Sequence, residues 1–327
     1  MSKTRKPFRF TYNMALFIIA VVMFVGVGIA KPNFFSGNYI AETAKQIIEI
    51  GIMVLPATII IISGGIDFSM NALLIVSAIL SAIVARYTNS FVAVLVALLI
   101  GALGGLVNGL MIAKFKLPPL IMTLATMYLY KGIAEGVTMG IVSVGASVSS
   151  YEFATFLGMG TIIGIPTQAF VFVILAVIFY ILLEKTCFGR YIFSLGLNEQ
   201  AARYSGVKVD NIKVTLYVIG GLCYAIAGMV YLGRFSSLRY DSADPLTLQV
   251  ITVVLLGGTS ILGGSGSILG SILSIIIMAI IKSGMNILFI PQTSQKIVLG
   301  VILLASLMIS QIIDKRVAKN KVFKKTV

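Results

Sequence analysis

The chain has 327 residues, 58% of them hydrophobic and 11% charged, with a mean hydropathy of +1.05. A soluble domain is about a quarter charged, so this composition excludes a single water-soluble core and defines a membrane protein. The net charge of +14 would point to nucleic acid in a soluble chain. Here it is explained by basic segments flanking apolar runs, and no nucleic-acid partner is expected.

Lys3, Arg5, Lys6 and Arg9 precede the first apolar run, at 14–30. Lys31-Pro32-Asn33-Phe34-Phe35 follows without the small-residue pattern of a cleavage site, so the run reads as an uncleaved span rather than a signal peptide. Further spans are expected near 47–63, 70–86, 91–113, 118–137, 166–183, 213–233, 246–262, 267–287 and 295–313. A bilayer-crossing helix needs roughly 18 apolar residues or more, so the expected fold is all-α, a polytopic membrane protein of about ten transmembrane helices. It forms a single transmembrane domain over 1–327.

With a cytoplasmic N-terminus, the inner segments carry 17 of the 25 Lys and Arg residues and the outer ones six. That asymmetry places both termini in the cytoplasm of a bacterial inner (plasma) membrane. The tail residues Lys315, Arg316, Lys319, Lys321, Lys324 and Lys325 then meet anionic lipid of the bilayer.

The first five spans begin inside and the sixth outside. The halves, about 1–137 and 166–327, therefore have opposite topology, the pattern of an inverted repeat around a midplane pathway. Each half has a glycine-rich interruption at an inner helix junction, Ser63-Gly64-Gly65-Ile66-Asp67-Phe68-Ser69 and Gly257-Gly258-Thr259-Ser260-Ile261-Leu262-Gly263-Gly264-Ser265-Gly266. Broken or re-entrant backbone is tolerated at membrane depth only where protein or a water-filled cavity covers it. Ser63, Gly64, Gly65, Asp67, Gly257 and Gly258 are thus gate candidates, with Asp67 either capping a helix N-terminus or touching a solute.

Residues 138–165 contain no Lys or Arg and one acid, Glu152, and are expected as an outer loop or short helices at a pore mouth. Residues 184–212 differ. Arg190, Glu199, Arg203, Lys208 and Asp210 alternate with small and apolar residues. Residues 198–204 read as a short helix with Asn198 as N-cap and Gly206 at its end. Such an element suits insertion into a partner's groove, the plainer reading being a solvated loop.

The stretch from Phe188 to Val207 closely resembles the cytoplasmic coupling loop of the ribose-type permeases of bacterial ABC importers. Ser63 to Ser69, Asn108-Gly109-Leu110 followed by Lys116 to Leu124, and Gly257 to Gly266 agree in the same order, so the resemblance covers nearly the whole chain. It departs at Leu197, where a second glycine is common, and at Asn71, where a small residue is usual. The resemblance implies a permease dimer of two copies or of paralogues, a separate cytoplasmic ATP-binding subunit, and an extracytoplasmic sugar-binding protein. It assigns Gly196, Asn198, Glu199, Ala201, Arg203, Ser205 and Gly206 to the element that contacts the ATPase.

No segment matches G-x-x-x-x-G-K-[ST], so the chain cannot hold nucleotide phosphates in that manner. It is not expected to be an enzyme or to carry a cofactor, ATP and Mg residing on the partner. The absence of histidine excludes histidine-based proton relays and Ser-His or Cys-His nucleophiles, and Cys187 and Cys223 lack metal-site or disulfide spacing. Asn108, Thr123, Thr126, Ser283 and Asn286 offer hydrogen bonds along a small-sugar pathway, although the same residue types also join membrane helices. Lys131 and Glu135 are expected to pair, and Lys282 to snorkel or cap carbonyls. The alternative is an ion-coupled secondary transporter, which would place an unpaired carboxylate near the midplane. Glu49, Asp67 and Glu135 instead read as lying near span ends.

Overall fold

The computed structural model describes residues 12–138, 152–235 and 237–323. The basic N-terminal stretch, residues 139–151 of the expected outer loop and the side chains of the basic tail lie outside the described residues. Among the described residues there are thirteen α-helices: α1 (Tyr12–Ala30), α2 (Gly37–Ile62), α3 (Met70–Ala85), α4 (Ser90–Ala113), α5 (Pro119–Thr138), α6 (Glu152–Met159), α7 (Thr167–Lys185), α8 (Cys187–Leu197), α9 (Glu199–Tyr204), α10 (Val209–Phe235), α11 (Leu246–Leu256), α12 (Ile268–Ile287) and α13 (Gln292–Phe323). The described part of the expected outer segment folds as α6 and a small antiparallel ladder, β1 (Thr161–Ile162) with β2 (Ile165–Pro166).

Each expected span falls on a helix, but their lengths differ. Six helices, α1, α2, α4, α7, α10 and α12, are long and apolar enough to cross a bilayer. The run at 246–262 is corrected: α11 has 11 residues, about 16 Å of rise against a hydrocarbon core of about 30 Å. It stops where Gly258 turns the chain with φ +83°. The second span is corrected in the other direction, since Ser36 accepts the Tyr39 N–H and starts α2 at Gly37 rather than 47.

Every residue of α2 from Ile47 to Ile62 is buried. A helix apolar all round belongs inside a bundle, and α2 is accordingly the central post. It packs on α7, α10, α11 and α12, whereas α1 and α4 expose broad faces. In lipid, close packing rather than water exclusion joins helices, and small residues permit it. The α4–α10 seam shows this: a Cβ at Gly105 would overlap the Tyr217 carbonyl, and one at Gly221 the Gly101 carbonyl.

Candidate gate and coupling site

The expected short helix is present as α9. Asn198 Oδ1 accepts the Ala201 N–H at 2.9 Å, and Gly206, with φ +81°, ends the turn by donating to Arg203 O at 3.1 Å. Sequence reasoning missed α8 as a helix. It is capped by Thr186, whose hydroxyl accepts the Gly189 N–H at 3.3 Å, and it buries Gly189, Ile192 and Leu195.

The charges of α9 point back onto the chain. Arg203 donates to Asp210 at 2.6 and 3.1 Å and to Glu199 at 3.4 Å, and Lys213 donates to Glu199 at 2.7 Å. The Asp210 carboxylate holds the Arg203 guanidinium pKa above its ordinary value. Glu199 and Arg203 therefore brace α9 against the start of α10, so movement of one moves the other. The most exposed large apolar side chains of α8 and α9 are Tyr204, 89% exposed, and Leu197, 66% exposed. Neither was singled out as a partner contact, and their apolar character beside a polar helix was the available signal.

The coupling segment meets both glycine interruptions at one point. α2 ends at Ser63, and Gly64, with φ +85°, turns the chain, its N–H bonding Ile61 O while Gly65 N bonds Ile60 O. α11 ends in the same manner, Gly258 N bonding Leu255 O and Thr259 N bonding Val254 O. Such left-handed glycine caps satisfy carbonyls that the helix end leaves free. The Gly264 N–H then donates to Ile62 O at 2.8 Å, joining the second interruption to the end of α2. Gly196, at the end of α8, sits against that bond, and a Cβ there would strike both Ile62 O and Gly264 N. A Cβ at Gly263 would lie 3.0 Å from Gly64 Cα. Only glycine admits three backbones this close.

The remaining part of the first interruption is held by side chains. Asp67 accepts the Ser69 N–H at 2.9 Å and the Ser69 hydroxyl at 2.7 Å, bracing the turn into α3 rather than acting as its N-cap residue, which is Ser69. The Asn108 amide donates to Ser69 Oγ at 2.8 Å, and the Thr126 hydroxyl donates to Asn108 Oδ1 at 2.7 Å. Thr123 Oγ1 accepts the Phe68 N–H at 3.1 Å and donates to Ile66 O at 3.2 Å. Asn108, Thr123 and Thr126 are buried, so in this conformation they clamp α4 and α5 to the interruption.

Ser283 and Asn286 are not part of this cluster. They lie 15 or more residues along α12 from Ile268, about 22 Å farther by helical rise. Ser283 pairs with the Thr43 hydroxyl at 2.7 Å, and Asn286 accepts from Gln295 at 2.8 Å. Three charge expectations are corrected there. Lys131 pairs with Asp244 rather than Glu135, because Asp244 reaches its ammonium from the segment before α11. Lys282 donates to the side-chain carbonyl of Gln249 on α11 at 2.7 Å rather than to a main-chain carbonyl. Glu49 lies near the middle of the lengthened α2, buried, and pairs with Arg234 through both oxygens.

Two glycine-broken helices meeting one amphipathic element, within a bundle of apolar helices, define a polytopic membrane permease. Residues 39–307 match the family described as branched-chain amino acid transport system / permease component. The chain is 35% identical over 299 residues to the ribose import permease protein RbsC of Bacillus subtilis (strain 168), covering 91% of each chain. It is 34% identical over 294 residues to RbsC of Escherichia coli (strain K12), covering 89% of this chain and 91% of the relative. To the autoinducer 2 import system permease protein LsrD of Photorhabdus temperata it is 30% identical over 300 residues, 90% of each. No solved structure matches.

The chain belongs to this family of permease components: it is a multi-pass inner-membrane subunit of an ABC importer, not its catalytic subunit. An ATPase and a substrate-binding protein are its separate partners, and the ion-coupled alternative is set aside.

Proposed function

We propose that this chain forms the membrane pathway for a small sugar, a ribose-like monosaccharide, in a permease dimer of two copies or of paralogues. Both termini face the cytoplasm, the chain itself binds no cofactor, and the ATPase holds ATP and Mg. The segment 184–212 receives the ATPase, and the residues from Gly196 to Gly206 carry its motion into the gate. One observation supports this reading above all: Gly196 touches both Ile62, at the first interruption, and Gly264, in the second. A displacement of α8 and α9 thereby acts on both interruptions together, as a two-state gate requires. The like geometry of the α2–α3 and α11–α12 junctions supports two inverted halves, 1–137 and 166–327. The similarity to the ribose import permeases of Bacillus subtilis and Escherichia coli supports a sugar solute.

The test is uptake of labelled D-ribose, with D-glucose and D-xylose in parallel, into proteoliposomes holding this chain, its ATPase and its binding protein. ATP-dependent uptake of at least one of them is expected. Uptake by this chain alone, driven by an ion gradient, would contradict the reading.

A further inference from the structure

At the end of the molecule remote from α9, a cavity of about 370 Å³ opens between α2, α10, α11, α12 and the start of α13. Asp210 and Arg234 are 24 residues apart on α10, which places this chamber about 36 Å from the coupling element. Its volume falls within the range of small-molecule sites, about 300–1,000 Å³. The walls combine two kinds of group. Gln46, Gln249 and Asn286 present amides, and Glu49, Arg234 and Lys282 present charges.

Of the three charges, Glu49 and Arg234 compensate each other and Lys282 is held by a neutral amide. Glu49 is 1% exposed and takes both of its Arg234 bonds through different oxygens, and Lys282 is bonded to Gln249. The Glu49–Arg234 pair therefore needs no charged solute to neutralise it, and the remaining Lys282 ammonium disfavours organic cations. Hydrogen-bonding capacity remains: Lys282 has further N–H donors, each Glu49 oxygen keeps a lone pair, and the amides of Gln46 and Gln249 offer NH2 groups beside the oxygens already used. Beside them the rings of Tyr231 and Phe235 lie 4.6 Å apart, centroid to centroid. The Arg234 guanidinium stacks 3.9 Å over Phe235, which stays 46% exposed. An aromatic surface next to alternating donors and acceptors matches a ring with C–H bonds on its face and hydroxyls on its edge.

We infer that this chamber is a binding site of the permease itself for an uncharged polyhydroxylated ring, entered from the side opposite α9. The site rests on the reading above as a sugar pathway, and it makes this chain a second point of solute selection besides the binding protein. Gln249, Asn286 and Phe235 supply recognition, while the Glu49–Arg234 pair fixes the wall between α2 and α10.

The test uses Gln292→Cys, on the chamber rim, in a Cys187→Ser background. The complete transporter in nanodiscs, without the binding protein, is labelled with a methanethiosulfonate reagent in the presence of D-ribose, D-glucose or D-xylose, and of choline or leucine as contrasts. Site occupancy slows labelling by one plus the ratio of ligand concentration to Kd, about 3-fold at twice Kd. At least one sugar is expected to protect, choline and leucine are not, and Gln249→Ala with Asn286→Ala is expected to abolish the protection. Leu262→Cys, on the coupling side, should be unaffected by any of them. Absence of sugar protection up to ~100 mM, or equal protection by choline or leucine, overturns the chamber. The same preparation with binding protein added is assayed for ATP-driven uptake. Uptake without protection rejects the chamber alone, and no ATP-driven uptake of any of the three sugars rejects the sugar-pathway reading.

Discussion

The two ends of the bundle are built from different materials. At the coupling end, three stretches of main chain lie against one another through Gly196, Gly263 and Gly264, with the Gly264–Ile62 backbone bond at the centre. At the other end, the helices are held apart around a cavity by long side chains, with the Glu49–Arg234 pair bridging α2 and α10. Backbone contact through glycine is stiff and transmits displacement, whereas a wall of long polar side chains adapts to a hydroxylated solute. On the proposed reading, the difference assigns force and selection to opposite ends of the same helices, α2 and α10, which reach both.

The largest effect that separates the ends should come from Glu49→Gln. It leaves the Arg234 guanidinium, whose side chain is 18% exposed, without its anionic partner, and breaking such a pair costs about 3–5 kcal/mol. Thermal unfolding in detergent should show the loss, and adding Arg234→Met should recover part of it. Equal stability of the single and double variants would show that the pair carries no structural load.

Gly196→Ala is next. The new Cβ has to displace Ile62 O or Gly264 N, overpacking of about 1–3 kcal/mol, and ATP-driven uptake should fall ~10-fold while the protein still inserts. Gly132→Ala, where a Cβ meets nothing within 4 Å, is the matched control and should leave uptake within ~2-fold. Similar losses from both would show that the knot is not special.

A smaller change is expected from replacing Glu199 and Arg203 together by alanine. Because these exposed ion pairs only brace α9 on α10, uptake should fall roughly 2–5-fold with insertion intact. Unchanged uptake in the double alanine variant would remove the bracing role.

Thr126→Val should be smallest. It deletes the hydroxyl bond to Asn108, and side-chain bonds between membrane helices are worth about 0.6 kcal/mol on average. A stability loss several times larger would mean that the Ser69–Asn108–Thr126 chain acts as one unit.

Much of the coupling end was legible in the chain, because its determinants are local. Gly64 and Gly258 end helices in their own neighbourhood, Asn198 caps the helix that follows it, and Gly206 closes that helix. What remained hidden there was contact between segments: Gly196 beside Ile62 and Gly264 joins residues far apart in sequence, and α8, at 11 residues, is too short to separate from the loop around it. The chamber was hardly legible. Glu49 was placed near a span end because α2 was started too late, its polar first turns resembling a loop. Its partner Arg234 lies 185 positions away, Asp244 lies 113 positions from Lys131, and Gln249 sits within a run that reads as a plain span. Charge pairing across a bundle has no sequence period to reveal it.

The central claim is that the meeting point of Gly196 with both interruptions moves with the nucleotide state of the partner ATPase. Spin labels at Leu197→Cys and Leu262→Cys, residues 66% and 74% exposed, flank that point in a Cys187→Ser background that leaves only the buried Cys223. The dipolar broadening of their spectra in the complete transporter should give one short intrachain distance without nucleotide and a shifted one with ATP bound. An unchanged distance distribution in every nucleotide state, in a preparation that transports, would contradict the account.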